Sequence, residues 1–135
     1  MSMRRLAVLG SVFACLLIMP ASVQAAPSIS ITGAQLGPEG GSVIVSVQYS
    51  CDGEGSINVD VVQGKGNRLI RANGNVNNFS NPDIVVCDGL SHTAQVPATN
   101  FGSTPFKKGK ASVSAALFFS TPTPITVGPV EVSLK

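Results

Sequence analysis

Between Ser42 and Asp52 apolar and polar residues take turns. Val43, Val45, Val47, Tyr49 and Cys51 fall on one parity. Ser42, Ser46, Gln48 and Ser50 fall on the other, with Ile44 the exception. A strand points successive side chains to opposite faces, so this period of two predicts a strand with one face in a core and one in water. The pattern recurs along the chain. Ile29 and Ile31 open a first strand, and Ile57, Val59 and Val61 repeat it with Asn58 and Asp60 outward. His92, Ala94 and Val96 alternate next, followed by Ala111, Val113, Ala115, Leu117 and Phe119, and finally Val130, Val132 and Leu134. No long stretch has apolar residues at helical spacing.

Turn signals separate these runs: Gly40-Gly41, Asp52-Gly53, Asp88-Gly89 and the stiff Thr121-Pro122-Thr123-Pro124. The middle is less regular. Leu69 to Ala72 reads as a short strand, Asn73 to Asp83 as an Asn-rich connection, and Ile84 to Cys87 as a short apolar run. Seven or eight short strands in about 110 residues predict an all-β domain, a single immunoglobulin-like antiparallel β-sandwich.

The first 25 residues read as a signal peptide and are set apart from the domain, 26–135. Arg4 and Arg5 precede the apolar run Leu6 to Met19, Pro20 breaks it, and Val23-Gln24-Ala25 supplies small residues for cleavage after Ala25. The expected location is therefore outside the cell, with no membrane attachment after cleavage. The route, general or twin-arginine, stays open. Of nine Lys and Arg, Arg4 and Arg5 leave with the signal, and the remaining seven balance seven Asp and Glu. A neutral domain lacks the overall basic field of nucleic-acid binders, so no nucleic-acid partner is expected. Cys15 also leaves. Cys51 and Cys87 remain as an even pair in an oxidising compartment, which predicts one disulfide.

The candidate sites are few. Ser91, His92 and Asp88 contain the residue types of a hydrolase triad, but neighbours on a strand face opposite ways and no nucleophile elbow is present. The chain is therefore expected not to be an enzyme and to need no cofactor. A single His, without a second His or a free Cys, does not make a zinc site. Asp52, Glu54 and Asp88 offer either a calcium site at the disulfide or ordinary Asp-Gly turns, and the turns are the expected reading. Lys65, Arg68 and Arg71 cluster ahead of an Asn-rich stretch and define a possible interaction loop, with a solvated hairpin as the alternative. Phe118 and Phe119 are adjacent, so one of them must leave the core. Sugar-binding modules stack rings on exposed Trp or Tyr, and with no Trp and one Tyr carbohydrate binding is not expected.

The segments Val47-Gln48-Tyr49-Ser50-Cys51, Val61-Val62-Gln63, Val86-Cys87-Asp88-Gly89-Leu90-Ser91-His92 and Phe106-Lys107-Lys108-Gly109-Lys110-Ala111 resemble secreted immunoglobulin-like domains of actinobacteria that have no assigned activity. The resemblance implies the sandwich and the cysteine pair, and no activity. A thinner similarity is to the neocarzinostatin-type apoproteins, exported sandwiches that carry an apolar chromophore. Those have two disulfides where this chain after Ala25 has cysteines for one. The expected function is a non-catalytic module that contacts a protein or a cell-surface component. The alternative is a carrier of a small apolar ligand in a cleft of the sandwich. Oligomeric state is left open.

Overall fold

The computed structural model describes residues 26–135; the expected signal peptide and Cys15 lie outside the described residues. The all-β expectation holds. Seven strands follow in chain order: β1 (Ser28–Leu36), β2 (Ser42–Asp52), β3 (Ser56–Gln63), β4 (Ile70–Asn77), β5 (Asp88–Asn100), β6 (Gly109–Phe118) and β7 (Ile125–Leu134). They form one antiparallel sheet in the order β1-β2-β5-β4-β3-β6-β7. The sheet curls until β1 lies against β7, where Leu36 N donates to Lys135 O at 3.2 Å. Curling brings the two edge strands together and leaves little free edge for another chain to pair with.

The alternating residues fill the interior. Val43, Val45 and Val47 of β2, Ile57, Val59 and Val61 of β3, and Val113 and Leu117 of β6 are fully buried. Valine predominates because a β-branched side chain packs well on a pleated surface. Phe106 and Val85 enter from connections and plug the interior at its opposite ends. Ser50 breaks the alternation and is buried. It is covered by the N-terminal segment: its hydroxyl donates to the Ala26 carbonyl and lies 3.4 Å from the hydroxyl of Ser28, its β1 partner.

One seam is thin. β4 and β5 pair only through Ala72 with Asn100 and Asn73 with Thr99. Pro97 has no N–H to donate, and the pairing stops before reaching it. At Gly74 a side chain would run into the Pro97 carbonyl, so glycine lets the two strands cross closely where the sheet folds over.

One expectation needs correction here. The segment from Asn73 is not all connection, because β4 runs to Asn77. Its polar residues point outward while Ala72 and Val76 face the core. The apolar run Ile84 to Cys87 forms no strand. Only Val85 is buried there, Ile84 is exposed, and the segment loops into the start of β5. Phe119 packs against the core and Phe118 leaves it, as their adjacency requires.

Candidate functional site

Every ladder is antiparallel, so successive connections alternate between the two ends of the sheet. Residues 37–41, 64–69 and 101–108 and the C-terminal residue share one end. Residues 53–55, 78–87 and 119–124 share the other. This sorts the charges. Among the described residues Lys65, Arg68, Arg71, Lys107, Lys108, Lys110 and Lys135 all lie at or beside the first end, with only Glu39 and Glu131 as anions there. Asp52, Glu54, Asp83 and Asp88 lie at the other end, and Asp60 sits within β3. The neutral total thus conceals a strongly dipolar domain.

The basic end holds an open cleft of about 950 Å³. Lys65 and Arg68 reach it from the β3–β4 connection, and Lys107, Lys108 and Lys110 from the segment that enters β6. Gln63 fixes the second group. Its amide nitrogen donates to Lys107 O at 2.8 Å and Lys110 O at 3.3 Å, and its amide oxygen accepts from Lys107 N at 2.8 Å. Among the described residues Lys110 is the one cation of the seven in an ion pair, an exposed contact with Glu131 at 3.4 Å. Arg71 lies in β4 and lines a smaller adjoining hollow of about 260 Å³ with Phe101, which is 72% exposed. The three residues of the expected interaction loop therefore share one end of the molecule, but Lys65 and Arg68 face the main cleft and Arg71 its neighbour. Reading 64–71 as one loop missed Lys107, Lys108 and Lys110. The cluster of three lysines in 107–110 was the available signal.

The opposite end is built around the disulfide. Cys51 and Cys87 are bonded, with Cα atoms 4.5 Å apart, joining the end of β2 to the entry of β5. Asp52-Gly53 turns the chain out of β2, but Asp88-Gly89 is not a separate turn: it opens β5, with Asp88 paired to Asp52 beside a register shift, and both glycines have φ of 80°, a left-handed conformation that glycine adopts readily. Among the described residues no three His, Cys, Asp or Glu side chains converge as metal ligands. The Asp88 carboxylate is already engaged: it accepts from His92 Nε2 at 2.7 Å and from Leu90 N at 2.9 Å. The bond from His92, followed by the Leu90 amide, holds Asp88 below the usual carboxylate range. Ser91 is not hydrogen-bonded to this pair; its hydroxyl accepts from Gln48 Nε2 at 3.1 Å.

Tyr49, which the sequence shows only as a core residue, also has a polar role. Its ring is buried and its hydroxyl accepts from Val86 N at 2.8 Å, pinning the 78–87 connection beside the disulfide. Tyr49→Phe is expected to cost about 1–2 kcal/mol, because the Val86 amide loses its partner in a partly buried place. Urea titration measures the cost, and faster hydrogen exchange at Val86 locates it.

The chain matches no family model, no curated protein and no solved structure.

Proposed function

We propose that this chain is an exported, non-catalytic binding module of immunoglobulin-like sandwich form, which contacts a cell-surface component through its basic end. The thin β4–β5 seam supports the sandwich reading. It divides the sheet into β1-β2-β5 and β4-β3-β6-β7, the division into three and four antiparallel strands that such sandwiches have. The disulfide departs from the antibody pattern, since it joins neighbouring strands rather than opposed sheets.

The observation that carries the binding face is the gathering of five cations around one open cleft. Like charges held close together repel, and four of these five lack an ion-pair partner among the described residues. A fold that brings them to one end is suited to an anionic partner drawn in by the field. The five cations in that lining weigh against the carrier alternative, because a small apolar ligand gains nothing from them. Among the described residues no hydroxyl or thiol is hydrogen-bonded to the Asp88–His92 pair, which weighs against hydrolysis.

The test is retention of the purified protein on cells of the organism that makes it. Wild-type protein should sediment with the cells, and the triple variant Lys65→Glu/Arg68→Glu/Lys107→Glu should stay in the supernatant. Absence of retention overturns the module reading. Equal retention of the variant overturns the assignment of the face.

A further inference from the structure

We infer that the cleft at the basic end binds a linear acidic polysaccharide, one that carries carboxylate or sulfate groups on its sugar rings. This rests on the binding-module reading and names the chemical class of the partner. Three features of the cleft carry it.

The first is the type and placement of the cations. Four of the five are lysines, with Arg68 the exception, and they come from two separate segments. Lysine is a compact charge on a flexible stem and meets an anion from many directions, whereas a site for one planar anion favours the bidentate fork of arginine. Five such charges spread over a cleft of about 950 Å³ suit a ligand with several anionic groups along a chain.

The second is what lies between the cations. Asn67, Thr104 and Ser112 bring neutral donors and acceptors to the lining, which match a ligand rich in hydroxyls. Among the described residues no aromatic ring lines the cleft. Single-stranded nucleic acids are held by stacking bases on such rings, so this cleft has the charge for a nucleic acid without the platform. Neutral sugars also rely on ring stacking, whereas an acidic sugar chain has charge to replace it.

The third is Glu131. Its carboxylate belongs to the lining, 3.4 Å from the Lys110 amine. A ligand with unbroken negative charge, such as polyphosphate, would meet repulsion there. A polysaccharide separates its anionic groups by whole rings and can set a hydroxyl against Glu131. Gln63 keeps this geometry in place by binding the backbone on both sides of Lys108, so the lysines are presented by a fixed segment.

The experiment titrates the purified protein with labelled polygalacturonate, dextran sulfate, neutral dextran, polyphosphate, polyglutamate and oligothymidylate at low and high salt. Polygalacturonate, dextran sulfate or both should bind at low salt, weaken at high salt, and outcompete the other polyanions at equal charge; neutral dextran should not bind. Which acidic polymer binds separates the carboxylate and sulfate forms. Lys65→Glu/Arg68→Glu/Lys107→Glu should weaken binding about tenfold or more, as three reversed exposed charges imply. Lys135→Glu, which changes net charge at the same end outside the cleft lining, should change it less than about twofold. Glu131→Gln should tighten polyphosphate more than polygalacturonate. Binding of polyphosphate, polyglutamate or oligothymidylate as tightly as either acidic polysaccharide overturns the inference. So does failure of both acidic polysaccharides to bind, or insensitivity to the triple substitution. If cells retain the protein through the basic end and acidic polysaccharides do not compete, the module reading stands and this inference fails.

Discussion

Replacing Cys51 and Cys87 together by alanine is expected to lower the free energy of unfolding by roughly 3–4 kcal/mol. The bond closes a loop spanning 36 positions and restricts the unfolded chain accordingly. The local consequences are as informative as the total. Cys87 ends the 78–87 connection, which is also tied to the rest of the domain by the buried Val85 side chain, the Val86 amide on Tyr49, the Gly53 amide on the Cys87 carbonyl, and the hydrogen bonds of Asn78 to Gly53 and Gly55. Without the bond, that connection should exchange its amides faster than the rest of the molecule and become the first site of proteolytic cutting. Urea titration of the native protein and the double variant gives the energy, and thiol titration of the native protein gives the redox state. Free thiols in the native protein, or an unchanged midpoint in the variant, would contradict the expectation.

Leu117→Ala is expected to cost about 2–5 kcal/mol. Leu117 is fully buried in β6, with Ile57 of β3 and Ile125 of β7 as its cross-strand partners. Valine-rich surroundings have short, stiff side chains that reach poorly into a new void, which favours the upper part of that range. Phe118→Ala is the matched control. It removes a larger side chain from the next position, but that ring is exposed, and the cost should stay below about 1 kcal/mol. Urea titrations with equal slopes measure both changes. A Leu117→Ala cost no greater than that of Phe118→Ala would show that the β6 face is assigned the wrong way round.

The regular strands were legible because period-two alternation is a local property. Val43 to Cys51 and Ala111 to Leu117 bury the residues that their parity selects. The reading failed where local and tertiary demands part. Asn73, Asn75 and Asn77 discourage a strand by propensity, yet β4 continues through them, because pairing with β3 supplies backbone partners from Ser56 to Gln63. Ile84 to Cys87 has strand-like composition but no ladder beside it, and its shape is set by the disulfide and Tyr49.

The site divides in the same way. Residue counts alone established that the domain after Ala25 is neutral, and the spacing of Lys65, Arg68 and Arg71 marked a basic segment. The sequence could not reveal that Lys107, Lys108 and Lys110 stand beside that segment, about forty positions away along the chain. The alternation of connections between the two ends decides it, and that depends on every strand being antiparallel to its neighbours. The sequence determined which side chains face inward, because parity along a strand needs no knowledge of the partner strand. Tertiary structure decided which charges meet, because electrostatic neighbours are set by distance through space, and the pairing of β3 with β6 brings the β3–β4 and β5–β6 connections to one cleft.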